Sequence, residues 1–266
     1  MRLANHEIVA GIGPGRAVVI EAQRLAGEVG DGYVQAFGPA LNGDALEGYQ
    51  DQQLEAERSI NFEIGVRGNN ERLRYELTAF RMDFDNQIIP ANSNSDFQRT
   101  NGGETLHQGL EAAIGYDFGN GFSVDANTTW IPDAEFVGNR YKADGSLDIP
   151  DGNRVTYAPE WVANLIFAYQ SGPLKTALSV NYIDEQFTDA ANTVGIKENT
   201  SGFFTGQLDA YTTVDLLARW QASKDLSLGL NLNNLFDRKY YERSYNSAWV
   251  LPGEPRNFSV SLTLSL

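Results

Sequence analysis

The sequence has no cysteine and only two histidines. Without cysteine, disulfide bonds and zinc sites built on thiolates are excluded. The histidines, at positions 6 and 107, lie far apart, and the chain has neither a Gly-x-Ser-x-Gly nor a His-Glu-x-x-His motif. We therefore expect a protein that is not an enzyme, with no catalytic residues, no metal site and no cofactor.

Cations and long apolar runs are also scarce. Lysine and arginine total 20 against 35 aspartates and glutamates, so the net charge is −15. This balance argues against binding to nucleic acid, whose phosphates need cationic partners. No apolar run approaches the roughly 20 residues of a transmembrane helix. The first residues lack the apolar stretch of a signal peptide, so an exported protein would need a signal upstream of Met1.

Alternation of apolar and polar residues is what the sequence has in abundance. Phe258, Val260, Leu262 and Leu264 alternate with serine and threonine, which predicts a strand with one apolar and one polar face. Nine such segments follow one another, starting near Ile60, Leu73, Leu110, Phe122, Trp161, Leu174, Val214, Leu226 and Phe258. Most are long enough for a membrane-spanning strand, which needs about 9–11 residues.

The connections between these segments alternate strictly between short and long. Tight turns fall at residues 68–70, 119–121, 171–173 and 223–225, and long connections at 85–105, 132–159, 184–210 and 238–255. Barrels of bacterial outer membranes have short periplasmic turns and long extracellular loops. The sequence therefore predicts an all-β fold: the C-terminal portion of an antiparallel transmembrane β-barrel, with about 9–11 strands.

A soluble β-sandwich is the alternative, since its strands also alternate. Its strands are usually about 5–6 residues long, shorter than the segments here. Aromatic residues also gather near segment ends, as in the interfacial girdles of barrels: Tyr116, Phe118, Trp130, Trp161, Tyr169, Tyr182, Tyr211 and Trp220. Both features favour the barrel.

Four segments resemble the TonB-dependent receptors of Gram-negative outer membranes. Residues 54–65 (LEAERSINFEIG) are similar to a strand of that family with the pattern Pro-Glu-x-Ser-x-Asn-Tyr-Glu-Leu-Gly, although Ala56 replaces proline. Residues 101–111 (NGGETLHQGLE) resemble the strand in which Gly-x-Glu recurs. Residues 231–241 (NLNNLFDRKYY) and 252–258 (PGEPRNF) resemble the last two strands. Within the family, the chain looks most similar to ferric dicitrate and siderophore receptors.

The resemblance carries expectations about architecture and partners. The family's barrel has about 22 strands around a plug, and we see neither the plug nor its TonB box. The resemblance thus implies a receptor fragment for TonB-dependent uptake of a ferric chelate, located in the Gram-negative outer membrane. Residues 54–266 would be barrel, and residues 1–53 an N-terminal segment with an extracellular loop and possible further strands. Expected partners are the chelate, outer-membrane lipid and lipopolysaccharide, with TonB reached only through the absent plug.

Arginines in the long connections are the candidate chelate ligands, because the guanidinium fork matches carboxylates. We predict a binding site that includes Arg99, Arg154, Arg243, Asn246 and Trp249. Other loop arginines are Arg140, Arg238 and Arg256.

Several alternatives remain open at the level of sequence. Gly11–Gly15 superficially fits a dinucleotide loop, although a hairpin built from residues 7–12 and 17–21 fits better. Asp144, Asp148, Asp151 and Asn153 are oxygen ligands dense enough for calcium, but without EF-hand spacing, which favours a solvated loop. A passive porin and a barrel enzyme are the competing functions.

Overall fold

The computed structural model of the chain describes residues 6–11, 16–26, 56–92, 95–101, 103–141, 145–194, 197–198, 204–245 and 249–264. Its regular structure consists of β-strands, and every strand pair is antiparallel. Within these residues, no helix has the length and apolarity needed to cross a membrane.

One large sheet contains eleven strands, and its spatial order follows the order of the chain. The strands are β1 (His6–Gly11), β2 (Arg16–Ala26), β3 (Arg58–Asn69), β4 (Leu73–Asp85), β7 (Glu104–Asp117), β8 (Phe122–Val137), β11 (Trp161–Ser171), β12 (Leu174–Ile183), β17 (Tyr211–Gln221), β18 (Leu226–Asn233) and β21 (Asn257–Leu264). In the described part of the chain, β1 and β21 form the two edges and do not pair with each other.

The long connections carry five two-stranded ribbons. They are formed by β5 (Ile88–Asn92) with β6 (Ser95–Asn101), β9 (Arg140–Tyr141) with β10 (Leu147–Ile149), β13 (Gln186–Phe187) with β16 (Gln207–Leu208), β14 (Lys197–Glu198) with β15 (Phe204–Thr205), and β19 (Tyr241–Tyr245) with β20 (Trp249–Pro252). We name the connections by the sheet strands that they join: the β4–β7 loop (86–103), the β8–β11 loop (138–160), the β12–β17 loop (184–210) and the β18–β21 loop (234–256). All four lie at the same end of the sheet, which we call the outer rim.

The strand register separates a polar face from an apolar face, because directly paired residues point to the same side. Arg67 pairs with Glu76, and Asn164 pairs with Asn181. Charged residues on this polar face include Glu63, Arg67, Glu76, Glu111, Asp125, Asp215 and Arg219. The opposite face exposes large apolar side chains, including Ile64, Leu77, Ile114, Phe167, Val260 and Leu262. A sheet that exposes its apolar face suits a lipid environment.

Aromatic pairs mark both ends of the apolar face. Trp130 and Trp161 stack with ring centroids 5.6 Å apart near the outer rim, and Phe122 and Tyr169 lie 4.4 Å apart near the tight turns. The eight steps from Trp161 to Tyr169 cover about 26 Å along β11. For a strand tilt of about 35–45°, this spans roughly 20 Å of membrane normal, close to the height of about 25 Å expected for the apolar band of a barrel.

Several strands continue beyond this apolar band. β2 and β3 are paired as far as the end of β4, since Ala26 lies opposite Arg58 and Arg58 opposite Asp85, but the longest strands are β4, β7 and β8. β4, β7 and β8 have 13, 14 and 16 residues, and we call them the extended strands. β11, β12, β17, β18 and β21 have 8–11 residues, and we call them the short strands. On β4 the apolar face changes after Leu77 and Ala79 to Arg81 and Asp83. The Arg81 Nε donates to Asp83 Oδ2 over 2.9 Å. The extended strands therefore leave the apolar band while they are still paired.

A β-bulge lies where β7 and β8 leave the apolar band. Their register shifts between Gln108 and Leu110, and a Cβ on Gly109 would meet the Trp130 carbonyl oxygen at 2.1 Å. Only glycine fits this close approach. We expected a loop to begin at Pro132, but β8 continues to Val137, because the bulge accommodates the irregular segment at Pro132 and pairing then resumes.

The N-terminal residues form a hairpin that extends the sheet. β1 pairs with β2, and β2 pairs with β3 from Arg16 opposite Gly68 to Ala26 opposite Arg58. A dinucleotide-binding loop would be followed by a helix, so the strand at Arg16–Ala26 rules out that alternative. The extracellular loop expected before residue 54 lies outside the described residues, and the domain boundary there stays a prediction.

Candidate ligand-binding face at the outer rim

A side-chain network closes the turn that follows β18. Asn234 is only 4% exposed and adopts a φ of 48°, in the left-handed region that asparagine tolerates better than most residues. Its Nδ2 donates to the carbonyl oxygens of Arg238 and Glu254, both over 2.9 Å, and its Oδ1 accepts the Arg238 N–H over 2.8 Å. Asn234 thus joins the two ends of the β18–β21 loop.

Asp237 fastens the same turn from the other side. Its Oδ1 accepts the Arg256 N–H over 2.9 Å and the Lys239 ammonium over 3.1 Å. These contacts, with the Arg256 backbone bond as the largest cause, lower the pKa of Asp237 below its ordinary value. The turn leaves the exposed side chains of Arg238 and Arg256 at the outer rim.

Polar side chains on the polar face connect this turn to the middle of the sheet. Asn164 on β11 donates to Asn181 on β12, and Asn181 Nδ2 donates to Asp215 Oδ2 on β17 over 2.9 Å. The other oxygen of Asp215 accepts the Asn234 N–H over 2.8 Å. The chain of bonds links three strands to the turn that follows β18, so the position of the β18–β21 loop depends on side chains of the sheet.

A small apolar core lies at the outer rim. It includes Ala134 and Phe136 on β8, Ile149 in the β8–β11 loop and Leu208 in the β12–β17 loop, all at most 4% exposed. The β8–β11 loop folds back onto β8, since Phe136 N donates to the Asn153 carbonyl over 2.8 Å and Val155 N to the Ala134 carbonyl over 2.7 Å. The outer loops are therefore packed structure with a core of their own.

Arg154 is held inside this layer by the backbone. Its Nε donates to the Ala158 carbonyl over 2.7 Å, and its terminal nitrogens donate to the Pro132 and Ile131 carbonyls over 2.9 and 2.6 Å. Burial lowers the pKa of its guanidinium, while Glu160, Asp133 and Asp184 act in the opposite direction. These contacts give Arg154 a role in fixing the loop against β8, and its predicted part in ligand binding remains a prediction.

Arg154 also shares its backbone with Asn192 of the β12–β17 loop. The Arg154 N–H donates to Asn192 Oδ1 over 2.5 Å, and Asn192 Nδ2 donates back to the Arg154 carbonyl over 2.8 Å. Asn192 has a φ of 52°. Sequence reasoning did not single out this residue, because a lone asparagine in a long loop carries no local signal of such a partner.

The remaining predicted ligand residues belong to the β18–β21 and β4–β7 loops. Arg243 is exposed, and its guanidinium carbon lies 5.5 Å from the centre of the Tyr157 ring. Arg99 is in β6 and Trp249 in β20, but their side chains lie outside the described part of the chain, as does the whole of Asn246. Of the five predicted residues, Arg154 lies on the loop that carries Tyr157, and Arg243 approaches the Tyr157 ring from the β18–β21 loop.

The acidic cluster considered for calcium is used in other contacts. Asp148 Oδ2 accepts a bond from Arg140 Nε over 2.8 Å, and Asp151 accepts the Gly138 N–H over 2.7 Å. Asp144 lies outside the described residues. In the part of the chain that the structure describes, no group of three or more acidic, histidine or cysteine side chains is arranged to hold a metal ion.

The strand pattern and the sheet match those of a known protein family. The family model described as "TonB dependent receptor-like, beta-barrel" matches residues 27–235. The chain belongs to this receptor family. Its eleven-stranded sheet is part of the family's barrel, and the fold predicted from the sequence is confirmed.

Sequence relatives of this receptor segment include the Metal-pseudopaline receptor CntO of Pseudomonas aeruginosa, with 35% identity over 219 residues. This match covers 80% of the chain and 28% of CntO. The Ferrioxamine receptor of Yersinia enterocolitica is 29% identical over 86% of the chain and 30% of its own length. The chain thus spans less than a third of these relatives.

Solved receptor structures are similar over almost the whole chain. The siderophore receptor PiuA from Acinetobacter baumannii matches with a TM-score of 0.72 and 22% identity, over 98% of the chain and 35% of PiuA. The ferric citrate transporter FecA in its unliganded form matches with a TM-score of 0.73 and 25% identity, over 97% of the chain and 37% of FecA.

The structure shows a physical role for one residue in each of two segments that resemble the family. In the run Asn231–Tyr241, Asn234 closes the outer turn, and in the run Asn101–Glu111, Gly109 allows the carbonyl of Trp130 to approach. Both positions could be noticed from the sequence, but their contact partners are distant in the chain.

Proposed function

We propose that the chain is the C-terminal part of an outer-membrane receptor that takes up a metal chelate in a TonB-dependent manner. The observation that carries the proposal is the family membership together with the named relatives, which are receptors for metal-pseudopaline and ferrioxamine. The packed loop layer at the outer rim is consistent with ligand binding from outside the cell. The protein would be a transporter component and not an enzyme.

The chemistry of the loops favours an anionic ferric chelate, such as ferric dicitrate or a siderophore. Arg243 has its guanidinium exposed beside an aromatic ring, and a guanidinium pairs well with carboxylates. Arg99, Asn246 and Trp249 would complete the pocket, while Arg154 would fix the loop that carries Tyr157. TonB would act through a plug outside this chain, and the apolar face would contact lipid and lipopolysaccharide in a Gram-negative outer membrane.

The passive porin has less support than the receptor. A porin made from this chain alone would need a closed barrel, and the described strands leave β1 and β21 as separate edges. A barrel enzyme would need an acid, a base and a nucleophile that converge at the rim, and the contacts described above include no such group.

Uptake measurements test the proposal in a strain that lacks the gene encoding these residues. The gene, with any coding sequence upstream, should restore uptake of ⁵⁵Fe supplied as ferric dicitrate, and the restored uptake should need TonB. Arg243→Ala should reduce uptake at limiting chelate, while Lys224→Ala in a tight turn at the opposite end should not. Restored uptake that is equal with and without TonB would reject the proposal.

A further inference from the structure

Tyr157 has a backbone conformation that is unusual for its residue type. Its φ is 57°, in the left-handed region that disfavours residues with a Cβ, and bulky side chains most of all. Residues in such conformations persist where the surrounding contacts hold them, and they concentrate at functional sites. The surroundings of Tyr157 therefore need an explanation.

The contacts of Tyr157 reach two other loops. Its N–H donates to the Phe187 carbonyl in the β12–β17 loop over 2.9 Å. Its hydroxyl donates to the Ser244 carbonyl in the β18–β21 loop over 2.5 Å, across 87 positions of sequence. Its ring also lies beneath the guanidinium of Arg243. One residue of the β8–β11 loop thus bonds to both of the following outer loops.

The left-handed backbone is what permits this double contact. The Arg154 guanidinium and the Asn192 amide fix the chain just before Tyr157. With those positions held, the N–H of Tyr157 points toward the β12–β17 loop, and the reversed φ sets the direction in which the side chain leaves the backbone, toward the β18–β21 loop. Glycine would fit the backbone better, but it would lose the ring and the hydroxyl.

We propose that Tyr157 is a positioning residue that couples three of the four outer loops, β8–β11, β12–β17 and β18–β21, into one unit. Displacing the β18–β21 loop then requires breaking its bond to the β8–β11 loop, which is itself bonded to the β12–β17 loop. A consequence, which rests on the proposed function, is that a chelate bound to Arg243 would affect the positions of these three loops together. The coupling itself exists without any ligand and is tested without one.

The first test compares Tyr157→Phe with wild type in the complete purified receptor, with no chelate added. Phenylalanine keeps the ring and removes the bond to the Ser244 carbonyl. Tryptic cleavage after Arg243, followed by mass spectrometry, should become about two- to tenfold faster, the factor that corresponds to one hydrogen bond. Tyr157→Asn, which tolerates the backbone but lacks the ring, should give a larger increase.

The second measurement follows the distance between two loops. Leu147 and Leu251 are 48% and 44% exposed, and cysteines there would carry spin labels on the β8–β11 and β18–β21 loops. Electron–electron double resonance should give a broader distribution of distances between the two spin labels for Tyr157→Phe than for wild type, with an unchanged folded fraction. A merely local structural role would leave this distribution unchanged.

Tyr141→Phe is the matched control, because the Tyr141 hydroxyl accepts a bond from Asn139 within the same loop. It should match wild type in both measurements. Wild-type cleavage rates and distances in Tyr157→Phe would overturn the coupling, whether or not the receptor transports a chelate. Conversely, coupling without chelate uptake would leave this inference intact and reject the proposed function.

Discussion

The extended strands and the short strands reach the outer rim in different ways. β4, β7 and β8 continue as paired backbone beyond the apolar band, whereas β11, β12, β17, β18 and β21 stop at its edge. Above the short strands, hydrogen bonds from a few side chains hold the chain in place, notably those of Asn234 and Tyr157. One part of the rim is therefore a continuation of the sheet, and in the other part the loops, beyond their short ribbons, depend on the hydrogen bonds of a few side chains.

The two sets of strands differ in what holds the chain in place at the outer rim. Ladder bonds are made by every residue, so an extended strand tolerates most single substitutions outside the lipid. A loop fixed by one buried asparagine loses several bonds at once when that residue changes. Substitutions that alter ligand binding without harming the barrel are therefore expected mainly above the short strands.

The largest effect is expected when these 266 residues are expressed alone behind a signal peptide. Each unsatisfied backbone group in hydrocarbon costs several kcal/mol. The eleven described sheet strands are an odd number, so β1 and β21 run in the same direction and could close only as a parallel pair. We expect aggregation or degradation, measured by fractionation and immunoblotting. Stable insertion of the isolated chain, with chelate uptake, would contradict this.

Three arginine substitutions on β7 test where an extended strand leaves the membrane. Ile114→Arg places a charge on the apolar face and should cost about 2–4 kcal/mol, the value for mid-membrane positions. Leu106→Arg lies on the same face beyond the bulge and beside Asp83, so it should be much milder. Ala113→Arg faces the polar side, where it pairs with Glu76, and should also be mild.

Abundance of the folded receptor in outer-membrane fractions measures these three effects. If Leu106→Arg is as harmful as Ile114→Arg, the extended strands remain in lipid to their ends, and the distinction between the two sets of strands is lost. If Ala113→Arg is equally harmful, the assignment of faces is wrong.

Asn234→Ala should destabilise the outer end of the short strands by about 2–4 kcal/mol, since it removes several buried hydrogen bonds and strains a left-handed backbone. Asn234→Gly restores the backbone freedom but not the bonds, so it should fall between alanine and wild type. Asn231→Ala is the control, because Asn231 is exposed and bonds to Ser259 over 3.3 Å. Denaturant unfolding of the purified receptor measures the series, and equal stability of Asn234→Ala and Asn231→Ala would refute the role of the turn.

The smallest effect concerns the pH dependence of the same turn. The pKa of Asp237 is lowered in the folded protein, so its contribution to stability is present above the unfolded pKa and is lost as pH falls through the folded pKa. Asp237→Asn should therefore be slightly less stable than wild type at neutral pH and equal to it in strong acid. Because Asp237 is at the surface, salt should reduce the difference. If the stability difference between Asp237→Asn and wild type grew as the pH fell, the pKa of Asp237 would not be lowered in the folded protein.

Much of the barrel could be predicted from the sequence, because lipid and water impose a strict alternation along each strand. The tight turns and the charges on the polar face follow directly from that alternation. The length of β8 could not be predicted, since Pro132 looks like a strand end unless the bulge opposite Gln108 is known. Pairing after a bulge depends on the neighbouring strand and not on local sequence.

The candidate site was less predictable than the fold. Loop arginines can be identified by type, but the sequence does not distinguish Arg154, which donates to three carbonyls, from Arg243, which is exposed. Tyr157 carries no sequence signal at all, because nothing local indicates a left-handed tyrosine. Both depend on partners far away in the chain.

The order of strands in the large sheet has a consequence for how the receptor folds. Each strand pairs with the next one available along the chain, so the sheet can grow by adding one hairpin after another, with little loss of chain entropy at each step. Low sequence separation between partners favours rapid folding. The contact that joins the two ends of a complete barrel is the exception, since it links the most distant strands. We therefore expect seam formation to be the slow step in folding, and partly zipped sheets to be the species that chaperones encounter.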